Sequence, residues 1–129
     1  MKSIKYWLPV LVWAGLIFYF SGVPNLSSGF SAFWDVFLRK IAHAGIFGVL
    51  LLLIFVAFYF GHKINFKKAL IWSLISAVLY AFFDEIHQYF VPERQARLLD
   101  VGFDSLGIFF VAALVSFLKL KRIISGQER

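Results

Sequence analysis

Cysteine is absent from this 129-residue chain, which excludes disulfides, thiolate metal sites and a cysteine nucleophile. Charge is scarce as well. Charged residues make up 16% of the sequence against 61% hydrophobic, a balance that excludes disorder and an ordinary soluble domain. Acidic residues are scarcest, with seven Asp and Glu against thirteen Lys and Arg. The resulting net charge of +6 does not point to nucleic acid, because the basic residues stand in short runs beside apolar stretches. Lys2/Lys5, Lys63/Lys67/Lys68 and Lys119/Lys121/Arg122 have the pattern of cytoplasmic flanks of membrane spans.

What the chain has in quantity is long apolar runs, and four can be read over a single domain of residues 1–129. The first, residues 6–20, is closed by Ser21, Gly22 and Pro24. It follows a basic start and resembles a signal peptide in outline, but Trp7, Trp13 and the bulky Phe18-Tyr19-Phe20 ending leave no small-residue cleavage site, so it is read as a retained span. The second run covers residues 41–60, the third begins near Ala69, and the fourth covers residues 101–118. A span needs about 20 residues at ~1.5 Å each. From Ala69 to Phe83 is only about 22 Å, so the third helix is expected to continue through Asp84, Glu85 and His87 to near Phe90, where Pro92 stops it. Counting back about 20 residues from Lys119 puts the start of the fourth helix near Asp100, with Asp104 about 6 Å inside it.

With both termini inside, nine of the thirteen Lys and Arg lie on the inner side and four (Arg39, Lys40, Arg94, Arg97) on the outer, a positive-inside bias. Segments 21–43 and 84–104 then face the exterior, the envelope side of a bacterial cytoplasmic membrane. In the first of them Phe30, Phe33, Trp34, Phe37 and Leu38 repeat as the apolar stripe of a helix. An unbroken helix from there to Phe60 would be about 45 Å long. The expectation is therefore a short interfacial helix, capped near Ser28 or Ser31 and bent before Arg39, leading into the second span. The fold class is thus all-α: four transmembrane helices, N-in and C-in, with that interfacial helix in the first outer loop. Gly45 and Gly48 are expected to permit close helix packing, and His62 is read as a solvated loop residue.

Ionisable side chains at membrane depth are costly and mark a functional site by default. Asp84, Glu85, His87, Gln88, Arg94, Asp100 and Asp104 crowd one segment, with Arg39, Lys40 and His43 at the start of the second span. Residues three or four apart share a helix face, which groups Arg39 and Lys40 with His43, Asp84 with His87 and Gln88, and Asp100 with Asp104. Three readings of this constellation stand side by side. It is a paired ionic network that holds helix ends together. Alternatively it is an enzyme site in which His43, Asp84, Glu85, His87 and Asp104 do acid/base or metal-assisted chemistry. Or Arg39, Lys40 and Arg94, with Gln88 and Asp100, capture an anionic headgroup or lipid-linked envelope precursor, since Arg holds phosphate and carboxylate bidentately. No cofactor is named by the sequence. Asp, Glu and His suit a divalent cation, but the spacing lacks the HExxH pattern and fits salt bridging equally well. Membrane lipids are the expected surroundings.

Three blocks of this chain resemble the VanZ-like family of small bacterial membrane proteins over residues 20–107. They are the turn Ser21-Gly22-Val23-Pro24, similar to the family's Ser-Ser-x-Pro; Lys40-Ile41-Ala42-His43, similar to Lys-x-x-His; and Asp84-Glu85-Ile86-His87-Gln88-Tyr89-Phe90-Val91-Pro92-Glu93-Arg94 followed by Asp100 and Asp104-Ser105-Leu106-Gly107. The last resembles Asp-Glu-x-x-Gln-x-Phe-x-Pro-x-Arg with Asp-x-x-x-Asn/Asp-x-x-Gly. This chain has Gly22 for Ser, Phe47 where Tyr is usual, Glu93 for Gly and Asp104 for Asn; the Phe47 change removes a phenol. The resemblance implies an integral membrane protein acting at the cell envelope. The family's naming member is associated with low-level teicoplanin resistance, which makes reduced glycopeptide susceptibility one consequence the resemblance suggests, without extending the resistance label to every member or supplying a reaction.

Overall fold

Four helices cross one another in an up-and-down bundle in the computed structural model, which describes residues 2–23, 31–92, 98–124 and 126. They are α1 (Ile4–Ser21), α2 (Ala32–Val56), α3 (Phe66–Tyr89) and α4 (Leu98–Ile124), and α2 runs on into a π-helical turn, Ala57–Gly61. Each is long and apolar enough to cross a membrane, and no strand occurs among the described residues. Leu, Phe and Ile cover much of the outside, as lipid-facing helices require.

The third helix follows the length argument. Asn65 caps its start by accepting from the Lys68 N–H at 2.9 Å, three residues before the apolar run, and the helix carries Asp84, Glu85 and His87 to its end at Tyr89, just ahead of Pro92. Its buried face is a ladder of small residues, Ala69, Ser73, Ala77 and Ala81, spaced by four so that one stripe faces the bundle. Ser73 bonds back to the Ala69 carbonyl at 2.6 Å, which satisfies its buried hydroxyl. The same stripe then turns polar and delivers Asp84, Glu85 and Gln88 to the interior.

The separate interfacial helix is not a separate element. Residues 32–40 are the first turns of a helix that continues without a break to Val56. No Gly or Pro stands between Ala32 and Lys40 to end it, and an Asp35–Arg39 ion pair one turn apart braces the expected bend. Ser31 occupies the N-cap position, although its side chain makes no capping bond; Ser28 lies outside the described residues.

The most extensive packing is between α2 and α4, and glycine sets its distance. A Cβ on Gly107 would fall 1.9 Å from the Ala44 carbonyl oxygen, and one on Gly48 would fall 2.7 Å from Val111 Cγ2. Ala44 and Gly48, four apart, thus form the small-residue surface against which the α4 backbone lies. Gly45 meets nothing within 4 Å, so of the two glycines expected to aid packing only Gly48 does so, because Gly45 falls on the outward side. Around this crossing Phe47, Leu50, Leu51, Ile54, Ile108 and Ala112 make the core.

The first turns of α1 and the last turns of α4 lie at the α2–α3 turn. Trp7 of α1 reaches His62, and the Lys119 ammonium of α4 sits over the Phe66 ring at 4.1 Å. The opposite end gathers the C-termini of α1 and α3 with the N-termini of α2 and α4. All five acidic residues among those described, Asp35, Asp84, Glu85, Asp100 and Asp104, belong to helix segments at that end.

Candidate functional site

The close α2–α4 crossing determines which side chains meet. Next to the Ala44–Gly107 contact, His43, which directly precedes Ala44, turns its Nδ1 to Asp104 Oδ1 at 3.8 Å. One turn further out, Lys40 Nζ stands 3.7 Å from Asp100 Oδ1 and 4.1 Å from the centre of the Phe103 ring. A Lys–Asp ion pair, a His–Asp contact and a backbone contact therefore rise along one seam in register, because 40/43 on α2 and 100/104 on α4 each share a helix face.

From the other side α3 contributes carboxylates. Asp84 is 2% exposed, Glu85 6% and Asp104 4%, and Asp104 lies within the electrostatic reach of Asp84, Glu85 and Asp100. Keeping such a density of acid charged away from water requires partners. Lys40 and His43 supply part of that, and a hydrogen-bond relay supplies more: Gln88 Nε2 donates to Asp84 Oδ2 at 3.1 Å and to Ser21 Oγ at 3.3 Å. Ser21 is fully enclosed at the last turn of α1, so this amide ties α1 to the acid cluster.

Phe47, the position where the phenol is missing, is buried between His43 and Tyr80, with ring centroids 6.4 and 6.3 Å away. The neighbouring phenol is that of Tyr80, and its hydroxyl donates to the Ala14 carbonyl at 2.6 Å. It serves as a strut between α3 and α1.

The structure brings together Lys40, His43, Asp84, Glu85, Gln88, Asp100 and Asp104. It sets His87 apart, facing α1 with its ring stacked on Phe18 at 4.0 Å and 12° and its Cε1 close to Gly22; Nδ1 is buried with no hydrogen-bond partner among the described residues. Arg39 turns back along α2 to Asp35, away from the acids. Arg94, expected among the ligand-binding cations, lies outside the described residues. Two members of the site were not singled out from the sequence. Ser21 was quoted there only as a turn residue and Phe18 only as bulk; the one available signal was that Ser21 closes the first span at the same depth as Gln88. Among the described residues no group of three or more His, Asp or Glu is arranged to hold a metal ion. The arrangement offers a half-exposed, oriented ammonium at its rim and an imidazole–carboxylate pair beneath.

A model of the VanZ/LLP1 family matches residues 6–119, most of the chain. No curated protein and no solved structure matches it.

Proposed function

The chain belongs to the VanZ/LLP1 family of membrane proteins, and on that premise we propose that its acid end is the outer face of a bacterial cytoplasmic membrane protein that binds or modifies an anionic, lipid-linked envelope component. The link of the family's name to glycopeptide resistance makes lowered glycopeptide susceptibility one cellular consequence to test for. The orientation rests on Lys2, Lys5, Lys63, Lys67, Lys68, Lys119, Lys121 and Arg122 clustering at the opposite end, which the positive-inside rule assigns to the cytoplasm. As the chain has no cysteine, single-cysteine variants report it directly: Ser31→Cys reacts with a membrane-impermeant maleimide in intact cells and Gly126→Cys reacts only after lysis. The reverse pattern overturns the orientation.

The observation that carries the ligand reading is Lys40. Its ammonium is held between Asp100 and the Phe103 ring, yet 38% of the side chain stays exposed. A cation fixed in place and still open at one side suits a headgroup phosphate or carboxylate, because less side-chain freedom is lost on binding. The first turns of α2 support it, with Phe33, Trp34 and Phe37 exposed beside Arg39 and Lys40. Aromatic and cationic side chains in that order favour the membrane interface.

A second reading has its own observation. His43 beside the buried Asp104 is the arrangement in which a carboxylate orients an imidazole for general acid/base work. The two separate by substitution. Binding without turnover predicts that Lys40→Gln weakens affinity for a polyprenyl phosphate about tenfold, the value of one charge-assisted hydrogen bond, while His43→Gln keeps most of it. Turnover of a lipid-linked substrate that stops on His43→Gln, with affinity retained, establishes the enzyme instead.

A further inference from the structure

At the end opposite to the acids, the indole Nε1 of Trp7 donates to His62 Nε2 at 2.8 Å. Indole is a donor only, so the contact uses His62 Nε2 as acceptor, a role an imidazole fills only when its proton is on Nδ1. The contact is exposed to solvent and flanked by aromatic rings. Phe58 packs edge-on against Trp7 at 5.2 Å and tilted against His62 at 5.9 Å. The Tyr6 ring of α1 covers Gly61 so closely that a Cβ there would meet it at 3.2 Å. The backbone that presents His62 is unusual twice over, through the π turn Ala57–Gly61 and through Lys63, which takes a left-handed φ of 56° without being glycine. Turns of these kinds persist where the surroundings over-determine them.

We infer that the Trp7–His62 contact is a pH-sensitive latch that seats the first turns of α1 against the α2–α3 turn. Protonation of His62 places an N–H where the acceptor was, so the bond is lost and two donors face each other. The charged and titratable groups around it are Lys2, Lys5 and Tyr6 from α1, Tyr59 from the π turn, Lys63 beside it, and Lys67 and Lys68 from α3. Among the described residues this end carries no Asp or Glu to receive the new positive charge. The centre and far end of α1 are held independently, by Trp13 Nε1 to the Ile46 carbonyl at 3.0 Å, by Tyr80 to Ala14 and by Gln88 to Ser21. Opening is therefore confined to the turns before Trp13, and α1 becomes a helix pinned at the site and free to swing at its base.

Hydrogen exchange of the full chain in nanodiscs tests it, with protection factors corrected for the intrinsic pH dependence of exchange. In the wild type, protection of the first two turns of α1 falls about tenfold between pH 8 and pH 5, while α3 is unchanged. His62→Gln keeps an acceptor that does not titrate, and holds the protection at both pH values. Trp7→Phe gives low protection at both. A wild-type α1 whose protection does not depend on pH overturns the latch, as does a His62→Gln protein that retains the dependence.

Discussion

Gly107→Ala costs this protein about 3 kcal/mol of stability, the upper part of the range for overpacking a close contact, and lowers its amount in the membrane accordingly. The added Cβ would lie 1.9 Å from the Ala44 carbonyl oxygen and 2.5 Å from its carbon. The obstructing atoms are backbone, so no rotamer change relieves them; α2 and α4 must move apart. That separation reaches the site, because His43–Asp104 and Lys40–Asp100 lie within the next two turns of the same seam. The matched controls are Gly45→Ala and Gly102→Ala, where nothing lies within 4 Å. They gain up to ~1 kcal/mol from helix propensity alone. Unfolding in a graded SDS series measures all three, and a Gly107→Ala protein as stable as the controls would remove the close crossing from the account.

The second large effect is Gln88→Leu. Leucine keeps roughly the side-chain volume but takes away the amide that donates to Asp84 and Ser21. The loss is asymmetric. A buried carboxylate deprived of a donor costs about 2–3 kcal/mol, whereas Ser21→Ala removes one neutral acceptor and costs about 1 kcal/mol. Because Gln88 is also the polar tie between α1 and α3 at this end, exchange in the last turn of α1 rises with the loss. Equal costs for the two variants in the same SDS series would show that Gln88 only fills space.

Much of this fold could be read along single helices. Hydrocarbon thickness and Pro92 put the end of α3 near Phe90, one residue from the observed Tyr89, and counting back from Lys119 put the start of α4 near Asp100, within α4's described range from Leu98. The same arithmetic failed on α2. It took 30 residues, about 45 Å, as too long for one span, yet Ala32–Gly61 is uninterrupted. Length sets a minimum for crossing, and tilt or overhang accommodates an excess. Whether a helix breaks is decided by local residues, and here no Gly or Pro interrupts residues 32–40 while Asp35–Arg39 bridges one turn of them.

The polar residues themselves were visible as charge in an apolar chain, but their partners were not. That Lys40 meets Asp100 and His43 meets Asp104 depends on the rotation and spacing of α2 against α4, which are set by Ala44, Gly48 and Gly107 rather than by any charge. Sharing a helix face with Asp84 did not bring His87 into the cluster, because α1 offers Phe18 to its ring. Likewise the sequence does not distinguish Gly45 from Gly48, nor does it reveal that the exposed His62 accepts a bond from Trp7 55 residues away. Contacts between helices carry that information.

Lys40, held at the rim of the acid cluster, is proposed to receive an anionic lipid headgroup, and titrating the purified protein in neutral-lipid nanodiscs with a polyprenyl phosphate measures that binding. Saturable binding above that of empty nanodiscs is expected, weakened about tenfold by Lys40→Gln with the folded fraction unchanged. Binding by the wild type no greater than by empty nanodiscs, or unaltered by Lys40→Gln, would contradict it.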